Sequence, residues 1–156
     1  MTADDIAREI MGLSGLDAMR ALIAGRFPSP SIATTLGFRL VEVDHGFAVF
    51  EGEPSERILN PLGVVHGGFA LTLLDSCTGC AAHTTLPAGV GYTTLETKGN
   101  LVRAIMPNTG VLRAEGRVVA QGRTIITAEG KITDAAGKLY AHGTSTLLVM
   151  RPESKA

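Results

Sequence analysis

The segment from residue 67 to residue 84 constrains the fold of this chain more than any other part of its sequence. Its apolar residues recur around nearly the whole circumference of a helix, rather than along a single stripe. A helix with this pattern has to be buried on most of its sides. The rest of the chain must therefore provide a surface that wraps around residues 67–84.

The sequence on both sides of this helix predicts β-strands. Residues 36–44 and 46–53 alternate apolar and polar residues around an Asp-His-Gly turn, which is typical of a β-hairpin. Four further strands are predicted, separated by breaks rich in turn residues, at residues 91–104, 109–121, 123–134 and 138–150. Because strands joined mainly by hairpins form an antiparallel sheet, we expect an α+β fold in which about six strands wrap one helix.

Two short helices are predicted before the sheet. Apolar residues at helical spacing place them over residues 3–13 and 15–24, with Ser14 resembling the N-cap of the second. The prolines within residues 27–30 then predict an extended link. We expect a helical segment and linker over residues 1–35, the main domain over residues 36–150 and a tail over residues 151–156.

Composition and charge exclude several classes of function. The 14 Lys and Arg residues nearly balance the 15 Asp and Glu residues, so neither a nucleic acid nor a membrane is expected as a partner. Aromatic residues make up only 4% of the chain and Trp is absent, which argues against base stacking on single strands. The acidic N-terminus lacks the features of a signal peptide, and the most apolar stretch, residues 69–74, is too short to cross a bilayer. We therefore expect a cytoplasmic protein.

Two features of the central helix are unfavourable for stability. Gly67 and Gly68 stand where the helix should begin, although glycine is a poor helix former. Asp75 lies in the middle of the most apolar helix, where a carboxylate costs several kcal/mol unless it is paired or hydrogen-bonded. The structural alternatives are that the glycines simply form a loop and that a nearby hydroxyl, such as Ser76 or Thr78, satisfies Asp75.

Both features have a chemical use. Glycines at a helix N-terminus let a ligand approach backbone N–H groups, which together with the helix dipole stabilise an oxyanion. A carboxylate that points into an apolar cleft can act as a nucleophile or a general base. Together they suit attack on an activated carbonyl with a good leaving group. A thioester fits, because its thiolate leaves without a strong acid or a metal.

The spacing of these residues implies that two chains share the site. Gly67 and Asp75 are eight residues apart, or about 12 Å along one helix at a rise of about 1.5 Å per residue. One carbonyl cannot contact both residues of the same helix at that distance. If both act on one thioester, they come from two copies of the chain, and the site lies at a dimer interface.

The motif around these residues resembles that of the hotdog-fold thioesterases of the phenylacetate-pathway type, whose central helix carries an Asp. The match covers about residues 36–150. Its most specific part is the His-Gly-Gly sequence at the helix start, followed by Asp75 nine residues after His66. The residues that carry the resemblance are Asn60-Pro61, Gly63, His66-Gly67-Gly68, Asp75, Thr93-Thr94-Leu95-Glu96-Thr97-Lys98, Asn100-Leu101-Val102-Arg103-Ala104, Gly122-Arg123 and Asp134-Ala135-Ala136-Gly137-Lys138-Leu139.

The resemblance implies a hotdog fold and an acyl-CoA thioesterase. It implies that Asp75 is the nucleophile or general base, that the Gly67 N–H polarises the thioester carbonyl and that Asn60 helps to hold the thioester or water. Thr94, or Thr93 one position earlier, matches a hydroxyl that positions the attacking water. His66 is part of the motif and is a further catalytic candidate, although a histidine here more often packs or caps a helix.

The resemblance also makes expectations about the substrate and the assembly. Gly68 and Thr93 are expected to contact the substrate, and Arg123 and Arg103 to contact the CoA phosphates. Ala104 stands where the family usually has a proline after the arginine, so the rim of the CoA site is expected to differ. CoA is part of the substrate, and no cofactor or metal is expected. The family forms homodimers that often pair into homotetramers.

Other functions remain as alternatives. A hotdog hydratase or dehydratase would also act on thioesters, but its characteristic loop and helix spacing is not seen here. A non-enzymatic acyl-CoA sensor usually carries a DNA-binding segment, and residues 1–35 are too short and too acidic for one. Cys77 and Cys80 form a C-x-x-C sequence, extended by His83, but a redox pair belongs at the start of a helix and a zinc site needs a fourth ligand. Packing is the favoured role of these two cysteines.

Overall fold

The computed structural model describes residues 2–153. Within this part of the chain, three short helices precede a pair of strands, and a 3-10 turn (Glu56–Ile58) then leads to the longest helix, which four more strands follow. The helices are α1 (Ala3–Met11), α2 (Gly15–Ile23), α3 (Ser31–Leu36) and α4 (Gly67–His83). The strands are β1 (Phe38–Asp44), β2 (Phe47–Gly52), β3 (Gly91–Leu101), β4 (Leu112–Gln121), β5 (Ile125–Thr133) and β6 (Leu139–Met150).

The six strands form one antiparallel sheet in the order β1-β2-β4-β5-β6-β3. This confirms the predicted α+β class and the hairpins that join β1 to β2, β4 to β5 and β5 to β6. Strand β3 does not pair with β4, the strand that follows it, but lies at the far edge beside β6. The connection between β3 and β4 is anchored by Ile105, which is buried and whose carbonyl accepts a hydrogen bond from the Val65 N–H.

Helix α4 lies in the concave side of the sheet and packs against all six strands. Nine of its 17 residues are buried, which confirms the prediction of a helix covered on most sides. Within residues 2–153, no helix is both long and apolar enough to cross a bilayer. The residues of α4 that the sheet leaves partly exposed form what we call the open stripe: Gly67, Gly68, Leu71, Thr72, Asp75, Ser76, Cys80 and His83.

A row of glycines lets the sheet approach α4 closely. Gly116 pairs with Gly130 on the next strand, Gly130 pairs with Gly143, and Gly143 pairs with Gly99. A Cβ atom at Gly116 would collide with the Cys77 carbonyl of α4. A side chain at Gly116, Gly130 or Gly99 would push the middle of α4, and with it Asp75, away from the sheet, whereas one at Gly143 would collide with the Lys98 carbonyl of β3.

The N-terminal helices agree with the sequence except at α3. Helices α1 and α2 lie within the predicted ranges, and the Ser14 hydroxyl caps α2 by accepting from the Asp17 N–H. Residues 27–30 are not helical, as predicted. The short helix α3 was not predicted, because its six residues are too few to show a helical period. Leu36 is the last residue of this helix, so β1 begins at Phe38 rather than at residue 36.

Candidate active site

The start of α4 presents a free backbone N–H group. His66 is the N-cap residue, and its Nδ1 accepts a hydrogen bond of 2.9 Å from the Gly68 N–H. The Phe69 N–H bonds to the His66 carbonyl. Among the described residues, the Gly67 N–H has no hydrogen-bond partner. The glycine pair therefore begins the helix rather than forming a loop, and Gly67 offers a donor at the positive end of the helix dipole.

His66 makes the contact of a capping histidine. Because Nδ1 accepts the Gly68 N–H, the proton of the neutral ring is on Nε2. The side chain is exposed and lies beside an apolar groove of about 360 Å³, which is lined by residues of α3, of the segment before α4 and of the first turns of α4. Its role in catalysis stays a prediction.

Asn60 shapes the loop that leads into α4. Its side-chain oxygen accepts hydrogen bonds from the N–H groups of Leu62, at 2.9 Å, and Val64, at 3.2 Å. These bonds fold residues 60–64 into an Asx turn. The oxygen is thus occupied by the loop, and within residues 2–153 the side-chain NH2 group has no partner. Any contact that Asn60 makes with a ligand would use this NH2 group as a donor.

Asp75 lies half-buried on the open stripe and faces strand β3. Its carboxylate oxygen Oδ1 accepts a hydrogen bond of 3.1 Å from the Thr97 hydroxyl. Ser76 and Thr78, the hydroxyls suggested by the sequence, do not contact the carboxylate within the described chain, because Thr78 donates to the Leu74 carbonyl instead. The contact between Thr97 and Asp75 was not predicted from the sequence, because it joins residues 22 positions apart.

The predicted threonines Thr93 and Thr94 lie on strand β3 but do not bond to Asp75. Thr93 is exposed on the outer face, and Thr94 is half-buried on the face towards α4. A β-bulge at Leu95 shifts the register, so Thr94 and Thr97 point to the same face although three positions separate them. The hydroxyl that donates to the Asp75 carboxylate is therefore that of Thr97. The water-positioning role of Thr94 or Thr93 stays a prediction.

Gly67 and Asp75 lie on one continuous helix, as the separation of about 12 Å estimated from the sequence requires. Both belong to the open stripe, and about 12 Å of helix separates them. One thioester carbonyl bound at the Gly67 N–H therefore cannot reach the Asp75 of the same chain. The open stripe itself is the face on which a second copy could bring the two residues together.

The two predicted CoA-binding arginines lie at opposite ends of the sheet. Arg103 follows β3, near the start of α4, with its guanidinium carbon 5.8 Å from the centre of the Tyr140 ring. Arg123 is exposed in the turn between β4 and β5. On β6, Ala141 pairs with the end of β3 and Leu148 pairs with the start of β5, so 148 − 141 = 7 residues separate the two ends, or about 23 Å. The two arginines of one chain cannot bind one phosphate group.

The cysteines of α4 are poor redox or metal ligands. Cys77 is fully buried against the sheet, and Cys80 lies beside Tyr92. Burial raises the pKa of the Cys80 thiol to about 12 and raises that of Cys77 as well. Both thiols therefore stay protonated near neutral pH, whereas redox and metal chemistry use the thiolate. Among the described residues, no three His, Cys, Asp or Glu side chains converge as they would at a metal site.

The double variant Cys77→Ala/Cys80→Ala is expected to keep the activity of the unmodified protein. Some stability should be lost, because Cys77 is fully buried and its removal leaves a small cavity. Thioester hydrolysis, metal content and thermal unfolding would be measured on both proteins. A folded double variant without activity would support a redox or metal-binding role for the two cysteines.

Comparison with known proteins identifies the family. The model of the thioesterase superfamily matches residues 62–141. A candidate esterase of Saccharolobus solfataricus is 31% identical over 121 residues, which cover 78% of this chain and 84% of the relative. The structure of a candidate thioesterase of Ralstonia eutropha JMP134, related to phenylacetic acid degradation, has a TM-score of 0.75 and 30% identity, covering 83% of this chain and 98% of that one. A Streptococcus mutans protein bound to acetyl CoA has a TM-score of 0.67 and 27% identity, covering 76% and 92%.

The matched residues include the parts of the molecule that carry the candidate site. Residues 62–141 contain all of α4, with Gly67 and Asp75, and the strands β3, β4 and β5. The structural neighbours extend the likeness over most of the chain. The sheet that wraps α4 is accordingly a hotdog fold, and this chain belongs to the thioesterase superfamily.

Proposed function

We propose that this protein is an acyl-CoA thioesterase that hydrolyses its substrate to a free acid and CoA. The observation that carries the proposal is the open stripe of α4. It presents a free N–H group at Gly67 and a half-buried carboxylate at Asp75 on one uncovered face. A donor for a developing oxyanion and a base or nucleophile are the two groups that thioester hydrolysis requires.

The Gly67 N–H serves as the oxyanion donor. The thioester carbonyl oxygen becomes negatively charged as the carbonyl carbon is attacked, and a free N–H at a helix N-terminus stabilises that charge. Glycine at this position lets the carbonyl approach the backbone without meeting a side chain. Removing one such donor typically lowers kcat by about 10²–10³-fold.

Asp75 serves as the nucleophile or the general base. In either role its ionised carboxylate faces the carbonyl carbon, directly or through a water molecule. The C–S bond then breaks and the sulfur leaves as a thiolate, so the reaction needs no metal and no cofactor. Asn60, through its side-chain NH2 group, is proposed to hold the thioester or the water beside His66 at the helix start, and Thr94 is proposed to position the water on the Asp75 side.

Two copies of the chain form each site. The Gly67 of one subunit and the Asp75 of the other meet when two open stripes face each other, which gives a homodimer with two equivalent sites. The same pairing brings opposite ends of two sheets together. Arg123 of one subunit and Arg103 of the other can then reach one CoA molecule, with Gly68 and Thr93 as further substrate contacts. We propose that these dimers pair into tetramers in the cytoplasm.

The binding of acetyl CoA by the Streptococcus mutans relative supports CoA as the carrier of the acyl group. The groove of about 360 Å³ beside Gly68 is lined largely by apolar side chains, including Leu36, Ile58 and Phe69, and suits an uncharged part of the substrate. Aromatic and aliphatic acyl groups are both compatible with it.

A panel of acyl-CoA esters tests the proposal. The purified protein would be incubated with aromatic and aliphatic esters of several lengths, and the release of free CoA would be followed with a thiol-reactive dye. We expect thiol release from at least one ester at a rate far above its uncatalysed hydrolysis. A hydratase would change the ester without releasing thiol, and a binding protein would bind it without turnover. Either result would contradict the proposed function.

A further inference from the structure

A chain of hydroxyl groups leads from Asp75 into the core behind it. The Thr97 hydroxyl contacts the Asp75 carboxylate at 3.1 Å and the Ser145 hydroxyl at 3.0 Å. The Ser145 hydroxyl lies 2.8 Å from that of Thr78, which lies 2.7 Å from the Leu74 carbonyl oxygen. Ser145 and Thr78 are each only 1% exposed, so their hydroxyls depend on one another for hydrogen bonds.

The number of hydrogen atoms available to this series of hydroxyl groups depends on whether Asp75 is protonated. There are four contacts: Asp75 to Thr97, Thr97 to Ser145, Ser145 to Thr78, and Thr78 to the main chain, where the carbonyls of Leu74 at 2.7 Å and Asp75 at 3.2 Å share its one hydrogen. The three hydroxyls supply three hydrogens. With Asp75 ionised, one contact must therefore lack a hydrogen. With a proton on Asp75, all four contacts become hydrogen bonds, each group donating to the next from Asp75 to Leu74.

We propose that Thr97, Ser145 and Thr78 form a hydroxyl relay that positions Asp75 and stabilises the proton it takes from water. This inference rests on the proposed thioesterase function and assigns Asp75 the role of general base. The three hydroxyl residues are positioning residues, because they act through Asp75 and not on the substrate. Because the Thr97 hydroxyl bonds to Oδ1, the other carboxylate oxygen is left to act on the water molecule.

The chemical step balances without another reactant. Asp75 takes a proton from water as the water oxygen forms a bond to the thioester carbon. The C–S bond then breaks, and its electron pair leaves with the sulfur. The thiolate receives the proton that Asp75 took up, through solvent, so the products are the free acid and the CoA thiol. The relay returns to its original hydrogen pattern when Asp75 loses the proton.

Three titratable side chains lie close enough to Asp75 to sense its charge. Burial and, to a smaller extent, the Asp75 charge raise the pKa values of Cys77 and Cys80 on α4 and of Tyr92 on β3. Burial raises the pKa of Cys80 to about 12 and that of Tyr92 well above its usual value, so both stay neutral between about pH 5 and 9. Glu96 and Lys98 lie on the outer face of β3. On β6, the side chain that reaches Asp75 through Thr97 is the uncharged Ser145.

The relay predicts the sign of a pH effect. In Ser145→Ala, the contacts that remain are Thr97 to Asp75 and Thr78 to the main chain. The hydroxyls of Thr97 and Thr78 supply one hydrogen to each, so both contacts are hydrogen bonds while Asp75 is ionised. The ionised form is favoured, and a base works only when ionised. The acid limb of the kcat/KM profile should therefore move to lower pH, by about 0.5–1 unit for one hydrogen bond. Thr78→Val has the same hydrogen count and should shift the limb in the same direction.

Variants of Thr97 test the positioning role. Thr97→Val keeps the shape of the side chain but removes its hydroxyl, and we expect kcat to fall about tenfold or more while KM stays within about twofold. Thr97→Ser keeps the hydroxyl and should stay close to the unmodified enzyme. Thr144→Val is the matched control, because Thr144 neighbours Ser145 on β6 but is exposed on the opposite face. Thermal unfolding confirms that each variant is folded.

The outcomes separate the relay from the proposed function. If the unmodified enzyme hydrolyses acyl-CoA but Thr97→Val matches Thr144→Val in kcat, the positioning role is wrong. If the acid limbs of Ser145→Ala and Thr78→Val both coincide with that of the unmodified enzyme, the proton relay is wrong. In both cases the thioesterase function stands. An unmodified protein that releases no thiol from any ester would overturn the function and the relay together.

Discussion

Asp75→Asn is expected to lower kcat for thioester hydrolysis by about 10³-fold or more while leaving the fold intact. The amide cannot accept a proton from water and does not attack a carbonyl. Its shape is nearly that of the carboxylate, and its oxygen can still accept the hydrogen bond from Thr97. Because the change removes a half-buried charge from an apolar helix, thermal stability should be unchanged or higher.

The measurement is steady-state thiol release on the best ester of the panel, together with thermal unfolding of the same preparations. Asp44→Asn is a suitable control, since Asp44 is exposed at the end of β1 and the chemical change is the same. We expect that variant to be fully active. An Asp75→Asn protein as active as Asp44→Asn on every ester would remove Asp75 from the mechanism.

Two inactive variants are expected to restore activity to each other if the site is shared between subunits. Gly67→Val blocks the oxyanion donor and Asp75→Asn removes the base, so each homodimer should be inactive. In a mixed dimer, one site carries both defects and the other carries neither. Random exchange of equal amounts makes about half of the dimers mixed, each with one good site of two, so about a quarter of full activity should return.

The controls for this experiment follow from the structure. A Cβ atom at Gly67 would lie 2.7 Å from Leu101 Cδ1, which is the end of a half-exposed side chain that can move, so Gly67→Val should fold. Dimer formation and thermal unfolding would be checked first, and differently tagged chains would show that subunits exchange. Mixing Asp75→Asn with Asp75→Ala must restore nothing. Tagged mixed dimers of Gly67→Val and Asp75→Asn without activity would contradict a shared site.

The features that the sequence predicted depend on residues that are close together along the chain. The apolar pattern of residues 67–84 specifies a buried helix, and the structure has α4 over Gly67–His83. The Asp-His-Gly turn specifies the first hairpin, because Gly46 adopts a φ of +71° that other residues rarely adopt. The spacing of Gly67 and Asp75 follows from helix geometry alone. The sequence was therefore sufficient to predict a site shared by two chains.

The environment of Asp75 depends on contacts between distant residues, and here the sequence was insufficient. Glu96, Lys98 and Asn100 alternate along β3 and are all exposed. The bulge at Leu95, which turns both Thr94 and Thr97 towards α4, has no sequence pattern of its own. The sequence suggested the nearby hydroxyls of Ser76 or Thr78 as partners of Asp75, whereas it is Thr97 that bonds to the carboxylate.

The amino-acid sequence by itself determined the helix, the hairpins and the pair of chemical groups on α4, because these follow from local periodicity and turn chemistry. Only the tertiary structure decided that β3 lies beside β6 rather than β4, since strand order depends on how the chain crosses the sheet. That order brings Thr97 next to Ser145 and connects Asp75 to the core. The contact between Thr78 and Ser145 spans 67 positions, and it forms because the glycine row lets α4 lie close to the sheet.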